Sequence, residues 1–587
     1  MAGQNFLDVT QSVREQAWTA RADEKKVAEL EGRSALDPLT ARLLAGRGVE
    51  PDDVELFLYP RLKTSLSNPS DMQDMDRAAA LLWDAIDAGQ KIVIFADYDV
   101  DGGTSAAQLM RWARHFKTEF GLYVPDRVQE GYGPSEMAFE TLKAKGAALV
   151  ITVDCGAAAH DALNAAYDMG LAVIVVDHHL MEAGQRPKAA ALVNPNRADD
   201  RSELGHLAAA GVTFMYLVAL NREARRRGHE DVPDLIDFLG LTALGTICDV
   251  VPLRGLNRAF VTQGLKVLGR DHMVGLKSLA DIAGREAPYS VYDGGFVFGP
   301  RLNAGGRIGR SDMGAKLLST DAIDEAMDYA AELDRVNKER RMMQDDILAQ
   351  ATQQADKLNQ THQIIVVAGE FWHPGIIGIV AGRLKDKFEK PVIIVAIDDE
   401  GVAKGSGRSI KGVNLGGAIS DARKAGLLSS GGGHEMAGGL TTTSSKINAL
   451  RDFLEEKLAA KIKTLRANRS MKIDTIIAAG AVNDTLMTIV DKVGPFGAGN
   501  PQPLFAMSDM QIVYAERLRG GHVRFTLSDR DGVQIRGICF RADDLGLADA
   551  LLERGQGLYH VAGRFKRDNW QGRERIDFHL TDMALAS

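Results

Sequence analysis

Cysteine is nearly absent from this chain of 587 residues: Cys155, Cys248 and Cys539 stand far apart, and no CxxC pair occurs. A structural zinc–thiolate site or a disulfide framework therefore has nothing to build on. The opening stretch, MAGQNFLDVTQSVREQ, has neither a basic start nor an apolar core, so it does not read as a secretory leader. Long apolar runs are missing too; the longest uncharged one, residues 207–220, is too short to span a bilayer. A cytoplasmic protein without membrane contact is the expectation. Positive charge is not in excess: 70 Lys and Arg face 79 Asp and Glu, a formal net charge of −9. That removes any global attraction for nucleic acid but leaves room for a local basic groove.

The chain is long enough for several domains. Residues 1–85 read as a polar, helical segment. From residue 91 the pattern changes to β-branched apolar runs, KIVIFADYD, AALVITVDCG and LAVIVVDHH, separated by helical stretches. Near-continuous apolar strands alternating with helices predict a parallel sheet covered on both faces, over residues 86–320. Residues 321–362 follow, and the highly charged stretch 321–360 within them contains no Gly or Pro and predicts one long connecting helix. A second α/β segment, 363–468, ends in the glycine-rich SSGGGHEMAGGL. Residues 469–587 shift to short alternating strands with turns, which suggests a small β-barrel.

FADYDVDGGTSA, residues 95–106, sets Asp97, Asp99 and Asp101 at every second position directly after an apolar run. Three like charges this close destabilise a fold unless something offsets them. Asp154 ends the next run, Asp177 with His178 and His179 the third, and Asp249 a further one, LTALGTICD. In open parallel sheets the carboxyl ends of the strands form the binding crevice, so these clusters can converge. Asp and His ligands without Cys favour hard or borderline divalent ions such as Mn²⁺ and Mg²⁺. So many ligand candidates suit two ions roughly 3.5–4 Å apart better than one. In an extended run 97–101, the three aspartates would point to one side. By the same alternation Cys155 and Cys248 would face away from the site. A lone aspartate at a strand end is usually a turn or cap residue; the combined set is far harder to explain that way.

DYDVDG, VDCG, VDHH and CDVVPL resemble the successive motifs of the DHH phosphoesterase superfamily. GPRLNAGGRIGR (299–310), GSGRS (405–409), GGGHEMAGG (431–439) and VGPFGAGNPQPLF (493–505) are similar to the signature of the RecJ single-strand-specific 5′-to-3′ exonucleases. The resemblance covers the chain from about residue 60 onward. It implies a multidomain α/β fold: a DHH catalytic domain, a connecting helix, a DHH-associated phosphate-binding domain, and an oligonucleotide-binding barrel. It implies that Asp97, Asp99, Asp101, Asp154, His178 and Asp249 hold two Mn²⁺ or Mg²⁺ ions. His179 would orient the scissile phosphate or its leaving oxygen, and Asp177 would fix the histidines. The substrate implied is single-stranded DNA, cut to 5′-mononucleotides in repair and recombination, in a cleft between the two α/β domains. Partners implied are a single-strand-binding protein and a RecQ-type helicase, with the enzyme itself a monomer.

Phosphate contacts are expected from Arg127, Arg301, Arg307, Ser406, Arg408 and His434, with Tyr132 stacking on a base. Each arginine has an ordinary alternative as a surface ion pair. His206, in GHLAAAGVTF, has no assignable role beyond structure. Residues 470–587 carry 14 Lys and Arg against 15 Asp and Glu, so any basic groove there must come from clustering. ERLRGGHVRF and RFKRDNWQGRER, with Trp570, are the clusters. The alternative reading is a DHH phosphodiesterase acting on short oligonucleotides or dinucleotides, against which the barrel and the chain length argue. A catalytically dead binding protein is a further alternative, but every motif aspartate is present.

Overall fold

Ile92–Ala96 alternates its side chains between two apolar cores. Ile92, Ile94 and Ala96 join one, while Val93 and Phe95 join the other. The neighbouring strand Leu149–Val153 divides in the same way, which is why these strands read as unbroken apolar runs. The computed structural model describes residues 5–33, 35–127, 129–181, 186–270, 273–553, 557–570 and 573–586, without the side chains of 569, 570, 573 and 574.

The chain divides into two compact units, Glu55–Met342 with Pro495–Pro501, and Met1–Val54 with Met343–Gly494 and Gln502–Ser587. In the first, five parallel strands lie in the order Gly121–Tyr123, Ile92–Ala96, Leu149–Val153, Ala172–Val176, Ala191–Val193. The order reverses between Ile92–Ala96 and Leu149–Val153, so a crevice opens at their carboxyl ends. A single 37-residue helix, Ile323–Asn359, carries the chain from one unit into the other.

The second unit holds a mixed five-stranded sheet in the order Ser430–His434, Ala437–Thr443, Val402–Arg408, Val392–Ile397, Ile365–Glu370. It also holds a closed barrel, in which Phe505–Leu518 pairs with both His522–Ser528 and Tyr559–Trp570. The pairing of Phe505–Leu518 with Tyr559–Trp570 closes the sheet on itself, with Thr475–Ile476 as a short added strand. The α/β multidomain class with a barrel thus stands as expected.

Two expectations need correction. Residues 1–85 are not wholly helical: Ala17–Ala20 is a strand paired in parallel with Ser470–Ile473. Its register partner lies so far along the chain that no local pattern marks it. Nor is 469–587 a contiguous barrel, because Pro495–Pro501 packs with the first unit. There Leu253 N–H donates to Ala498 O at 2.7 Å, and the Arg258 guanidinium reaches Pro495 O.

Candidate metal centre

The three aspartates of the first motif do not share a strand. Asp97 follows the strand end, Asp99 caps the helix Val100–His115, and Asp101 lies in its first turn. The expected alternation therefore fails, and it is the turn from strand to helix that gathers them. Asp99 accepts from the N–H of Asp101 (2.9 Å) and Gly102 (3.3 Å). Only glycine fits at 102, since a Cβ there would lie 2.5 Å from Asp97 O. The buried Asp101 accepts at both oxygens, from Ala209 N–H (2.7 Å) and Ala210 N–H (2.8 Å), at the start of the helix Ala209–Arg226.

Asp154 follows Leu149–Val153 in the left-handed region, at φ 60°. Asp249 is not at a strand end: it caps the C-terminus of the helix Leu239–Cys248. Cys155 is fully buried in an apolar core, and the Cys248 thiol donates to Gly294 O, so neither joins the carboxylates in a ligand group.

Among the described residues three groups of ligand-type side chains converge, with ligand atoms within 4.8 Å of one another in each. They are Asp97, Asp99 and Asp154; Asp101, His178 and Asp249; and Asp154, His178 and His179. His178 Nε2 lies 3.3 Å from Asp154, 3.7 Å from Asp249 and 3.9 Å from Asp101. Its Nδ1–H donates to Leu207 O at 2.9 Å, which sets the ring plane and turns Nε2 toward those carboxylates. Asp177 accepts from the backbone N–H of Ala157, His178 and His179 and from the His179 ring at 2.7 Å. Asn194 donates to His179 O, and Asn196 to His178 O.

Electrostatics follow from crowding. Burial, then Asp99, pushes Asp97 well above the usual carboxylate range; burial, then Asp101, does the same to Asp154. Burial lifts Asp101 to about 6 despite His178 nearby, and burial with Asp101 and Asp99 lifts Asp249 to about 8. The Asp177–His179 pair behaves oppositely. Burial works against both charges, yet their mutual hydrogen bond holds Asp177 below its ordinary value and raises His179 to about 9. They form an ion pair.

Beside this cluster, Tyr132 Oη donates to Asp154 O at 3.1 Å and lies 3.1 Å from His179 Nε2. Arg127 stacks over the Tyr98 ring at 4.9 Å, and Tyr98 meets Tyr132 edge to face. The charge of Arg307 also reaches Tyr98. Tyr98 itself escaped the sequence reading, although its place between Asp97 and Asp99 was the available signal. Arg301 is brought elsewhere: it pairs with Asp334 at 2.9 Å and donates to Val297 O, so its guanidinium is occupied by the fold. Ser406, Arg408 and His434 lie in the other unit. Arg408 donates to Gly407 O and Ser406 Oγ, and a Cβ on Gly378 would come within 2.9 Å of that hydroxyl. His434 ends an exposed strand. The barrel carries a groove of about 830 Å³ lined by Tyr514, Phe540, Arg524, Arg536, Lys566 and Arg575. The Trp570 side chain lies outside the described residues.

Three family profiles match the chain: the DHH family N-terminal domain over residues 91–246, the DHHA1 domain over 361–460 and the RecJ OB domain over 473–582. The single-stranded-DNA-specific exonuclease RecJ of Bacillus subtilis is 33% identical over 575 residues, covering 96% of this chain and 70% of its own. That of Salmonella typhimurium is 33% identical over 510 residues, covering 84% and 87%. The chain belongs to the RecJ exonuclease family.

Solved RecJ structures agree. RecJ from Thermus thermophilus in complex with Mn²⁺ superposes with a TM-score of 0.78 at 27% identity, covering 96% of this chain and 78% of that one. An exonuclease RecJ bound to manganese matches at 33% identity and TM-score 0.57, covering 66% and 95%. The donor set of this RecJ-family chain suits such ions. It offers carboxylate oxygen and imidazole nitrogen without thiolate. Two of its buried atoms, Asp97 Oδ1 and His178 Nε2, have no hydrogen-bond partner within the protein. No described helix is long and apolar enough to cross a membrane.

Proposed function

We propose that this protein is a single-strand-specific 5′-to-3′ exodeoxyribonuclease of DNA repair and recombination. In this reading Asp97, Asp99, Asp101, Asp154, His178 and Asp249 hold two Mn²⁺ or Mg²⁺ ions. The observation that carries it is the convergence of those side chains around two unpartnered buried donor atoms. When bound, such ions supply an activated water and neutralise charge on the phosphodiester and the leaving 3′-oxygen. His179, held as a cation by Asp177, sets its positive charge beside the carboxylate cluster, where it would attract a phosphate oxygen through the Tyr132 hydroxyl or in its place. Tyr132, bonded to both His179 and the Asp154 carbonyl, fixes that ring's orientation. Arg127, stacked on Tyr98, and Arg307, whose charge reaches the same ring, are the phosphate-gripping candidates on the side of Tyr98. The barrel groove, with Tyr514 and Phe540 among basic side chains, suits unpaired bases and backbone phosphates.

End-labelled single strands of DNA and RNA, incubated with Mn²⁺ or Mg²⁺ and sized over time, test the reading. Stepwise release of 5′-mononucleotides from the 5′ end of DNA is expected. Oligonucleotide fragments, release from the 3′ end, or turnover of dinucleotides alone would overturn it. Because stacking needs unpaired bases, blunt duplex is expected to be a poor substrate that a 5′ single-stranded tail rescues. Equal rates on blunt and tailed duplexes would remove the single-strand requirement.

End recognition is assigned in this proposal to Ser406, Arg408 and His434. A terminal phosphate carries more charge than an internal diester, and charge-assisted hydrogen bonds are worth on the order of 1.5–3 kcal/mol, roughly ten- to a hundredfold. Arg408→Ala is therefore expected to lower kcat/KM on 5′-phosphorylated strands by that factor and on 5′-hydroxyl strands much less. An equal loss on both would move the role to another residue.

A further inference from the structure

Three consecutive backbone carbonyls, Gly205 O, His206 O and Leu207 O, each receive a side-chain donor. Asn196 Nδ2 donates to Gly205 O at 3.1 Å, Asn257 Nδ2 to His206 O at 2.6 Å, and His178 Nδ1 to Leu207 O at 2.9 Å. Each asparagine makes a second bond that ties it to the candidate centre. Asn196 Nδ2 also donates to His178 O, closing a ring around the histidine it serves. Asn257 Nδ2 also donates to Pro252 O, three residues beyond Asp249. Asn257 is fully buried and Asn196 half-buried. Neither is a metal-ligand type of residue, and their spacing in sequence shows nothing.

We infer that Asn196 and Asn257 are positioning residues that fix the segment 205–207, so that Leu207 O orients the His178 ring with Nε2 aimed between Asp101, Asp154 and Asp249. The physical reason is geometric. A histidine with one nitrogen bonded to a fixed carbonyl has its tautomer and ring plane set, and its other nitrogen is pre-aligned for a ligand. A carbonyl on a loosely held loop would allow the ring to rotate, and the unpartnered Nε2 would lose its aim. His206, whose side chain had no evident role, thus matters through its main-chain carbonyl. The inference rests on the reading of His178 as a metal ligand.

The test uses the full chain with Mn²⁺ alone as probe, titrated calorimetrically, and with thermal midpoints recorded in chelator. Asn196→Ala and Asn257→Ala are each expected to weaken Mn²⁺ binding about ten- to a hundredfold, as loss of an outer hydrogen-bond partner does. In a His178→Ala background the same substitutions should cost nothing further, because the group they orient is gone. Equal losses in both backgrounds, or no loss in either, would overturn the inference. If His178→Ala alone left Mn²⁺ binding unchanged, the metal reading would fall instead. Asn257→Leu, which keeps the volume and removes both donors without adding charge, replaces the alanine variant should that not fold. The same two outcomes then decide.

Discussion

Asp154→Asn is expected to abolish nuclease activity, while the protein stripped of metal melts at a higher temperature than wild type. Asp154 belongs to two of the three converging ligand groups, so its loss affects both halves of the centre. Removing an outer partner of a metal ligand already costs about ten- to a hundredfold, and removing the ligand itself costs more. The fold survives because asparagine is nearly isosteric and tolerates the left-handed backbone at φ 60° better than most residues. The gain in stability follows from the buried position of this carboxylate, which burial and then Asp101 hold against ionisation. Without metal the native state must hold a proton on Asp154 that the unfolded chain would release near neutral pH, and asparagine removes that cost. Rates on single-stranded DNA and melting curves in chelator check both parts. Wild-type turnover by the variant, freed of contaminating nuclease, would refute the site.

In chelator, stability is expected to fall as pH rises from about 5 to 9, with saturating Mn²⁺ removing the slope. Asp101 is lifted to about 6, Asp249 to about 8, and Asp97 and Asp154 well above their ordinary value. A group whose folded pKa lies above its unfolded one stabilises fully below the unfolded pKa and stops doing so as pH passes the folded pKa. His179, raised to about 9 by Asp177 against its burial, acts in the same direction through the alkaline half of the window. Asp177, held low by that pair despite burial, acts only at the acid end, where its contribution is lost as pH falls. Since about 1 kcal/mol moves the midpoint of a domain of 150–250 residues by roughly 2–4 °C, the fall should be readily measured. A flat or rising midpoint in chelator would show that these carboxyls do not titrate together.

Much of this was legible in the sequence because ligand residue types closed successive apolar runs. The element types behind them were less so. Leu239–Cys248 is uncharged and buried on nearly every side, with threonine its one polar residue type, and such a run cannot be told from a buried strand by periodicity. Hence Asp249 read as a strand-end residue when it is a helix cap. Asp97–Asp101 alternates perfectly, yet glycines at 102 and 103 favour a tight strand-to-helix turn over continued extension. Arg301 reads as a phosphate ligand because nothing in GPRLNAGGR shows Asp334 two helices later. Tyr98, Asn196 and Asn257 act through contacts that only the assembled fold creates. The barrel was easier, since His522–Ser528 carries a clear in–out alternation.

The two units are each stitched from distant parts of the chain, and this bears on how the protein comes off the ribosome. At about 5–20 residues per second, Pro495–Pro501 emerges roughly 8–30 s after Met342 has been made. Throughout that interval the aspartates and histidines are already present, but the loop after Asp249 lacks the segment that pins Leu253. Ala17–Ala20 waits longer still for Ser470–Ile473. A nascent chain therefore carries every residue of the candidate centre well before the loop that follows Asp249 has its packing segment. The same delay leaves Ala17–Ala20 without its strand partner during translation, an unpaired edge of the kind that invites misassociation.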